Sequence, residues 1–337
     1  MSNSGFSRPC YHGRALGSRL RSEAIEAKAV GAYLGLAVGD ALGATVEFMT
    51  PAEIRAEHGE HREIVGGGWL CLRRGEVTDD TEMALALGRS IIARGAVDAH
   101  AAADAFDEWM RGRPKDIGNT VRRGLVGYRS TGLVEAPRSL SSAGNGACMR
   151  TLPVALATWG ASAVRVMLAS RAQAHITHNN ELSDAGTETI VAMVQMSLDG
   201  ATKNDLLGGP AERLWKAFPP FRFRGRREEN PSGFVVHTLR AVLQAFFDTD
   251  TFEECVVDAV NRGGDADTTG AIAGMVAGAH YGREEIPRRR LRRLEPAVSR
   301  ACTEQALALL ALAPCPVVGT AAGELYVDPG VPEPSSP

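Results

Sequence analysis

No stretch of the 337-residue chain approaches 18 consecutive apolar residues, so the sequence holds no candidate for a bilayer-crossing helix. Neither sign of charge dominates. Forty acidic residues against 37 basic ones leave −3, which argues against a protein that coats nucleic acid. No aromatic ladder or nucleic-acid motif accompanies the basic stretches, so no nucleic-acid partner is expected. Cysteine is sparse and scattered: Cys10, Cys71, Cys148, Cys255, Cys302 and Cys315 contain no C-x-x-C pair. That excludes the common structural zinc pattern, and the wide spacing does not make a disulfide framework. Free thiols in a reducing cytoplasm are the expectation. Strand-like alternation is scarce. The first 22 residues lack the apolar centre of a secretion signal; they carry Arg8, Arg14, Arg19 and Arg21 and no acid before Glu23. A weak likeness to a transit peptide yields to a disordered extension over residues 1–28. A Pro/Ser-rich end predicts a second disordered segment over 314–337.

What the chain does have is helical periodicity and an excess of glycine. Apolar residues recur at helical spacing over 29–48, 78–94, 98–113, 119–128, 147–158, 163–174, 183–198, 206–218, 234–247, 252–261, 269–281 and 291–312. A short helix starts at Pro51, Asp98 is placed to cap another, and Pro153 must kink or break its segment. Residues 129–144 and 219–233 read as long loops, and no linker separates two halves. The expectation is all-α: one compact multi-helix domain over 29–313. Two basic stretches, 222–227 and 288–293, read as solvated surface or as a docking site for an acidic partner or a pyrophosphate.

The 37 glycines are about 11% of the chain, against a usual ~7%. Eight fall in two stripes, Gly31, Gly35, Gly39, Gly43 and Gly270, Gly274, Gly278, Gly282. A four-residue step advances only about 40° beyond a full turn, so each stripe lies on one helix face. Each glycine costs roughly 0.8–1 kcal/mol relative to alanine inside a helix. That cost is tolerable where a helix backbone must approach another closely. The stripes therefore predict two core helices in tight contact.

Two helix starts are crowded with acids: Thr78-Asp79-Asp80-Thr81-Glu82 and Gly264-Asp265-Ala266-Asp267-Thr268-Thr269. Capping explains one oxygen at each, and Asp79 with Glu82 fits a capping box. It does not explain the remaining acids, which repel unless a cation neutralises them. Oxygen-only donors suit a hard ion such as Mg²⁺ or Mn²⁺, and two clusters can hold two ions. Glu47 is a further carboxylate nearby in sequence. Gly144-Asn145-Gly146 before a helix offers backbone N–H groups to a phosphate, although a turn has the same appearance. His175 and His178, three apart, fit one helical face. Asp116 in a Pro-Lys-Asp stretch reads as a turn former or a cap.

Taken together, Gly39-Asp40-Ala41-Leu42-Gly43 with Glu47, Thr78-Asp79-Asp80-Thr81, Gly144-Asn145-Gly146-Ala147-Cys148-Met149-Arg150, Thr177-His178 and Gly263-Gly264-Asp265-Ala266-Asp267-Thr268-Thr269-Gly270 resemble the ADP-ribosylglycohydrolase family. Order and spacing fit from about residue 29 to 313. Within the family, Gly66–Leu70, Arg113–Thr120 and the phrases around the acids resemble the branch of nitrogen-fixing bacteria. The resemblance implies an all-α fold with a binuclear centre of two divalent metal ions, Mn²⁺ or Mg²⁺. It implies hydrolysis of ADP-ribose from an arginine side chain, in that branch on ADP-ribosylated dinitrogenase reductase. The metal ligands then fall on Thr78, Asp79, Asp80, Asp265, Asp267 and Thr268, with Glu47 beside them. Gly144, Asn145, Gly146 and Met149 match the loop that receives phosphates and ribose. His178 matches a ribose-side contact, and Asp116 and Asn119 border the cleft. Asp80, Glu47 and Asp116 are the candidates for catalytic acid or base. Branch membership further implies a PII signalling protein as partner and, through it, peripheral recruitment to an ammonium channel at the membrane.

Two departures stand out: some 20 residues precede the usual start, and Phe234 stands where the branch carries tyrosine. Phenylalanine still stacks on a guanidinium or adenine but loses the hydroxyl. Three other readings stay open at this point. They are hydrolysis of another ADP-ribosyl linkage, a non-catalytic ADP-ribose-binding relative, and a metal phosphohydrolase. The full set of acids argues against the second, and release of intact ADP-ribose separates out the third.

Overall fold

The computed structural model describes residues 12–318, with side chains from residue 22. In chain order the helices are α1 (His12–Gly43), α2 (Pro51–His58), α3 (Asp79–Arg94), α4 (Ala99–Arg111), α5 (Asn119–Thr131), α6 (Gly146–Met149), α7 (Leu152–Ala157), α8 (Ala163–Ala174), α9 (Glu181–Leu198), α10 (Lys203–Leu206), α11 (Glu212–Ala217), α12 (Val235–Asp248), α13 (Phe252–Val260), α14 (Ala266–Tyr281), α15 (Arg288–Leu291) and α16 (Pro296–Leu312). Two residues on each side, β1 (Val97–Asp98) and β2 (Val317–Val318), pair in parallel. They form the single sheet among the described residues.

The centre of the molecule is the antiparallel contact of α1 with α14, and the glycine stripes make it. A Cβ added to Gly35 would fall on the carbonyl of Gly274, one on Gly39 on that of Gly270, and one on Gly43 on that of Ala266. The clash is mutual, since a Cβ on Gly270 would lie 2.6 Å from the Gly39 oxygen. Seven of the eight stripe glycines thus serve backbone-to-backbone contact. Gly282 does not. It ends α14 at φ 88°, and a Cβ there would meet only the Glu284 carboxylate at 3.7 Å. Around this pair α3, α9, α12, α13 and α16 close the core, with Tyr33, Phe106, Phe246 and Phe252 fully buried.

Several boundaries differ from expectation. Helix α1 begins at His12, inside the segment expected to be disordered. The run from Ser22 to Ala29 is rich in Glu, Ala and Lys, which carry helix into the glycine stripe without a break. The chain remains ordered beyond Ala313 through β2, since Val97 and Val317 pair; a two-residue strand has no period to read. The expected disorder of residues 1–11 and 319–337 lies outside the described residues. Pro153 does break its segment, as the second residue of α7. The helix expected over 206–218 is split around Gly209 (φ −102°, ψ −106°) and Pro210. The one expected over 291–312 restarts at Pro296, whose ring cannot continue a preceding helix.

The basic stretch at 288–293 is mostly exposed surface, with Arg290 as the structural exception. Arg290 is fully buried and donates to the Arg62 carbonyl (3.1 Å) and Glu253 (3.2 Å). Arg289 pairs with Glu63 (2.7 Å) and with Glu253.

Candidate active site

The register of α1 on α14 decides the site. With Gly39 against Gly270 and Gly43 against Ala266, Asp40 and Glu47 are brought beside Asp265 and Asp267. Helix α3 then enters end-on. Thr78 is its N-cap residue, yet its side chain does not cap the helix. Its backbone N–H donates to both oxygens of Asp40 (3.0 and 3.1 Å) and its hydroxyl to Oδ1 (2.9 Å). Thr81 adds its N–H (3.1 Å) and its hydroxyl (2.5 Å) to Asp40 Oδ2. The expected Asp79–Glu82 capping box is absent. Glu82 instead accepts from the Trp109 indole at 2.7 Å, and Asp79 from the Gly118 N–H at 3.3 Å. The first turn of α3 is therefore tied to α1, which frees Asp79 and Asp80 from capping duty.

Four carboxylates converge, those of Glu47, Asp80, Asp265 and Asp267. One oxygen from each of Glu47, Asp265 and Asp267 lies within 4.8 Å of the others. The Thr78 hydroxyl stands 3.3 Å from Asp80 Oδ2 and 3.5 Å from Asp267 Oδ2, and the Thr268 hydroxyl donates to Asp80 Oδ2 at 3.2 Å. Asn145 donates to Asp265 (2.5 Å) and to the Thr238 hydroxyl (2.9 Å), linking the glycine loop to the acids. Loop position is also held by backbone bonds from Asn145 N–H to Gly233 (3.0 Å) and from Val235 N–H to Ala143 (3.0 Å). Trp69 donates its indole N–H to Glu47 at 2.5 Å.

These acids open onto a cavity of about 330 Å³. Its walls include Glu47, Phe48, Asp79, Asp116, Asn119, Gly144, Asn145, Gly146, Met149, His178, Asp265, Asp267 and Thr268. Larger clefts of 660 and 760 Å³ lie elsewhere, among surface ion pairs such as Arg171–Glu188 and Arg227–Asp258. Three of the residues expected at the site stand outside the cavity wall. Thr78 and Asp80 are buried behind it. Phe234, 36% exposed, reaches the site through its backbone bridge to Gly144, while its ring stands edge-on to His237 at 5.2 Å. The two histidines do not share a helical face, because α8 ends at Ala174. His175 pairs with Asp184 (3.0 Å) and Glu135 (3.4 Å), while His178 packs on Gly144 and Gly146.

Burial governs the charge state. It pushes the Glu47 carboxyl up to about 8, opposed by the Trp69 hydrogen bond and assisted by Asp265 and Asp116. It raises Asp40 to about 6 against four hydrogen bonds that favour the anion. Asp79, Asp80 and Asp267 are driven well above the usual carboxylate range by burial first and then by surrounding carboxylates, Asp40 and Glu47 among them for all three; Asp265 and Asp116 are raised as well. Among the described residues no lysine or arginine forms an ion pair with these acids, and Asp80 Oδ1 is buried without any partner. An all-oxygen donor set, excess negative charge and an orphaned carboxylate oxygen fit a hard divalent cation. The acidic cluster is able to hold metal.

Two expectations follow for the metal-free chain. A carboxyl whose folded pKa is raised binds its proton more tightly in the folded state. Stability is then full below the unfolded value and is lost as pH rises through the folded one. For Asp40 and Glu47 that window runs from ordinary carboxylate values to about 6 and about 8. Denaturant unfolding in chelator should therefore show stability falling between pH 5 and 8 (approximate limits), and added divalent cation should flatten the slope. Asp40→Asn offers an NH₂ where Thr78 and Thr81 donate, so the first turn of α3 loses its anchor. Calorimetric titration with Mn²⁺ should show about 10- to 100-fold weaker binding, as is typical for groups that orient metal ligands.

Asp40, Trp69 and Thr81 are site residues that sequence reasoning passed over. For Asp40 a signal was present: it is the lone charged residue between Ala29 and Thr45. Trp69 carried none, because its partner lies 22 positions away in a turn.

The family model of ADP-ribosylglycohydrolase matches residues 21–316. The chain belongs to the ADP-ribosylglycohydrolase family. It is 50% identical over 286 residues to the ADP-ribosyl-[dinitrogen reductase] glycohydrolase of Rhodospirillum rubrum, covering 85% of this chain and 96% of that protein. It is 34% identical over 282 residues to an ADP-ribosylarginine hydrolase of Pseudomonas putida (strain GB-1), covering 77% and 72%. Among solved structures, one described as an ADP-ribosylglycohydrolase-related protein complex superposes with a TM-score of 0.76. It is 36% identical and covers 86% of this chain and 99% of that one. This ADP-ribosylglycohydrolase is mostly helical, and no helix among its described residues is long and apolar enough to cross a membrane.

Proposed function

We propose that the protein hydrolyses the bond between ADP-ribose and a modified arginine, with ADP-ribosylated dinitrogenase reductase as substrate. The observation that carries this reading is the cluster of buried carboxylates, paired with no lysine or arginine among the described residues, facing the Gly144–Gly146 loop across one cavity. The 50% identity to a protein named for that substrate supports it.

Thr78, Asp79, Asp80, Asp265, Asp267 and Thr268 would hold two divalent ions, Mn²⁺ or Mg²⁺, with Glu47 beside them. When bound, the ions supply Lewis-acid polarisation of ligand oxygens and neutralise the acids. The chain's own residues do the rest. Gly144, Asn145 and Gly146 seat the phosphates and ribose, and Met149 and His178 bound the same wall. Cleavage builds positive charge on the sugar, as in other glycoside hydrolyses, and the surrounding carboxylates favour it. Glu47 and Asp116 line the cavity and can reach a water or the departing guanidine nitrogen. Asp80 stands behind the wall, which favours ligation over proton transfer for it. Asn119 opens α5 at the rim.

The test is metal-dependent release of ADP-ribose from modified dinitrogenase reductase, with serine-linked ADP-ribose as comparison. Turnover of the arginine linkage alone is expected; turnover of the serine linkage alone overturns the reading. The branch also points to a PII signalling protein and, through it, an ammonium channel at the membrane. A pull-down from ammonium-treated cells that recovers no PII protein counts against that partnership.

A further inference from the structure

Arg150 closes the Gly144–Arg150 motif, and nothing in the reaction described above uses it. Its guanidinium is fully buried, yet it faces no carboxylate within hydrogen-bond reach among the described residues. Its N–H groups go to neutral acceptors. Nε donates to Gln173 Oε1 at 2.8 Å, and Nη2 donates both to the Gln173 carbonyl (2.8 Å) and to the Thr177 hydroxyl oxygen (2.9 Å). Its plane is steadied by the Phe106 ring, 4.3 Å away. Gln173 in turn donates to the Ala147 carbonyl at 3.0 Å, directly after the glycine loop.

A guanidinium has donors and no acceptor. Thr177 must therefore accept from Arg150, and its single proton has to find another partner. The neighbour is His178 Nδ1, 2.7 Å from Thr177 Oγ1. Were Nδ1 protonated, the hydroxyl would accept twice and its own proton would be stranded in a buried site, which is strongly disfavoured. The hydroxyl thus donates to Nδ1, and a neutral imidazole then carries its proton on Nε2. That edge of the ring lines the cavity beside the glycine loop: an added Cβ at Gly144 would stand 2.9 Å from Nε2, and one at Gly146 2.8 Å from Cε1.

We infer that Arg150 and Thr177 are positioning residues that set His178 in the Nε2–H tautomer, so that the glycine-loop wall presents a hydrogen-bond donor of fixed polarity to an oxygen of the ADP-ribose moiety. The ligand half of this inference rests on the function proposed above; the tautomer half rests on the hydrogen-bond chain alone. Burial, with the charges of Arg150 and Arg123, drives the imidazole well below its usual pKa, so the ring stays neutral. An ordinary histidine exchanges freely between donor and acceptor at either nitrogen; this one is locked.

The experiment is a long-range ¹H–¹⁵N correlation on the full chain with ¹⁵N-labelled histidine, the His178 signals being assigned by their loss in His178→Gln. The expected spectrum shows Nδ1 unprotonated and Nε2 protonated. Thr177→Val, which keeps the side-chain shape, should release the tautomer preference and weaken binding of free ADP-ribose about tenfold by calorimetry. Thr177→Ser should restore both, which a purely structural role would not require. A protonated Nδ1 in the unmodified chain, or a Thr177→Val variant with unchanged tautomer and affinity, overturns the inference. An unmodified chain with the Nε2–H tautomer that binds no ADP-ribose supports the relay and overturns the ligand reading.

Discussion

Asp267→Ala should lower metal-dependent release of ADP-ribose from arginine-modified protein by roughly three orders of magnitude or more. The residue sits in the first turn of α14, with an oxygen within 4.8 Å of the Glu47 and Asp265 oxygens and 3.5 Å from the Thr78 hydroxyl. It belongs at once to the acid cluster and to the cavity wall. Its carboxyl is driven up by burial and then by Glu47, Asp80 and Asp265. Those neighbours disfavour its charge without a cation and reward it with one. The variant therefore has a second, opposite signature. Without metal it should melt no lower than the parent, because one member of a repelling set is gone. With Mn²⁺ it should gain little, whereas the parent should gain about 2.7 kcal/mol at a hundredfold excess over its dissociation constant. A variant that turns over at the parent's rate while chelator leaves both unaffected would sink the metal scheme.

Gly39→Val should prevent the chain from reaching its native fold, or cost well over 3 kcal/mol if it folds. Helix propensity alone predicts much less, and for Gly39→Ala it predicts a gain of about 0.8–1 kcal/mol. Packing reverses that sign, because the new Cβ would coincide with the carbonyl of Gly270 on α14, and backbone cannot rotate aside as a side chain can. Since the same contact sets Asp40 and Glu47 against Asp265 and Asp267, any folded fraction of Gly39→Ala should bind metal more weakly. Gly127→Ala is the control. Gly127 lies within α5 with nothing inside 4 Å of an added Cβ, so stability should rise by about 0.5–1 kcal/mol. Denaturant unfolding of the three variants decides the matter, and a stable, metal-binding Gly39→Val would refute the role given to the stripes.

Much of the helical scaffold is legible in the chain. The starts of α4 and α7 follow from Asp98 and Pro153, because caps and prolines act within a turn of themselves. The splits at Gly209–Pro210 and before Pro296 had the same local signals and were masked by continuous apolar periodicity. The stripes announced two tightly packed smooth faces but not their register, since a period of four says which face is smooth and nothing about how far along the other helix it sits. The capping box assigned to Asp79 and Glu82 failed for a tertiary reason. Trp109 and Asp40 compete for the groups at the start of α3, and both come from other helices.

By itself the sequence determined the helical class, the oxygen-only character of the acid set, and the motifs that place the chain in its family. These depend on residue type and short spacing. Only the tertiary structure decided which acids do what. Glu47, Asp116 and Asp267 face the cavity, Asp80 stands behind it, and Asp40 organises a helix start instead of facing ligand. The physical reason is that a carboxylate's charge and reach are set by desolvation and by neighbours within a few ångströms. Here those neighbours come from positions as far apart as Thr78 and Asp267, joined only by the register of two glycine-faced helices.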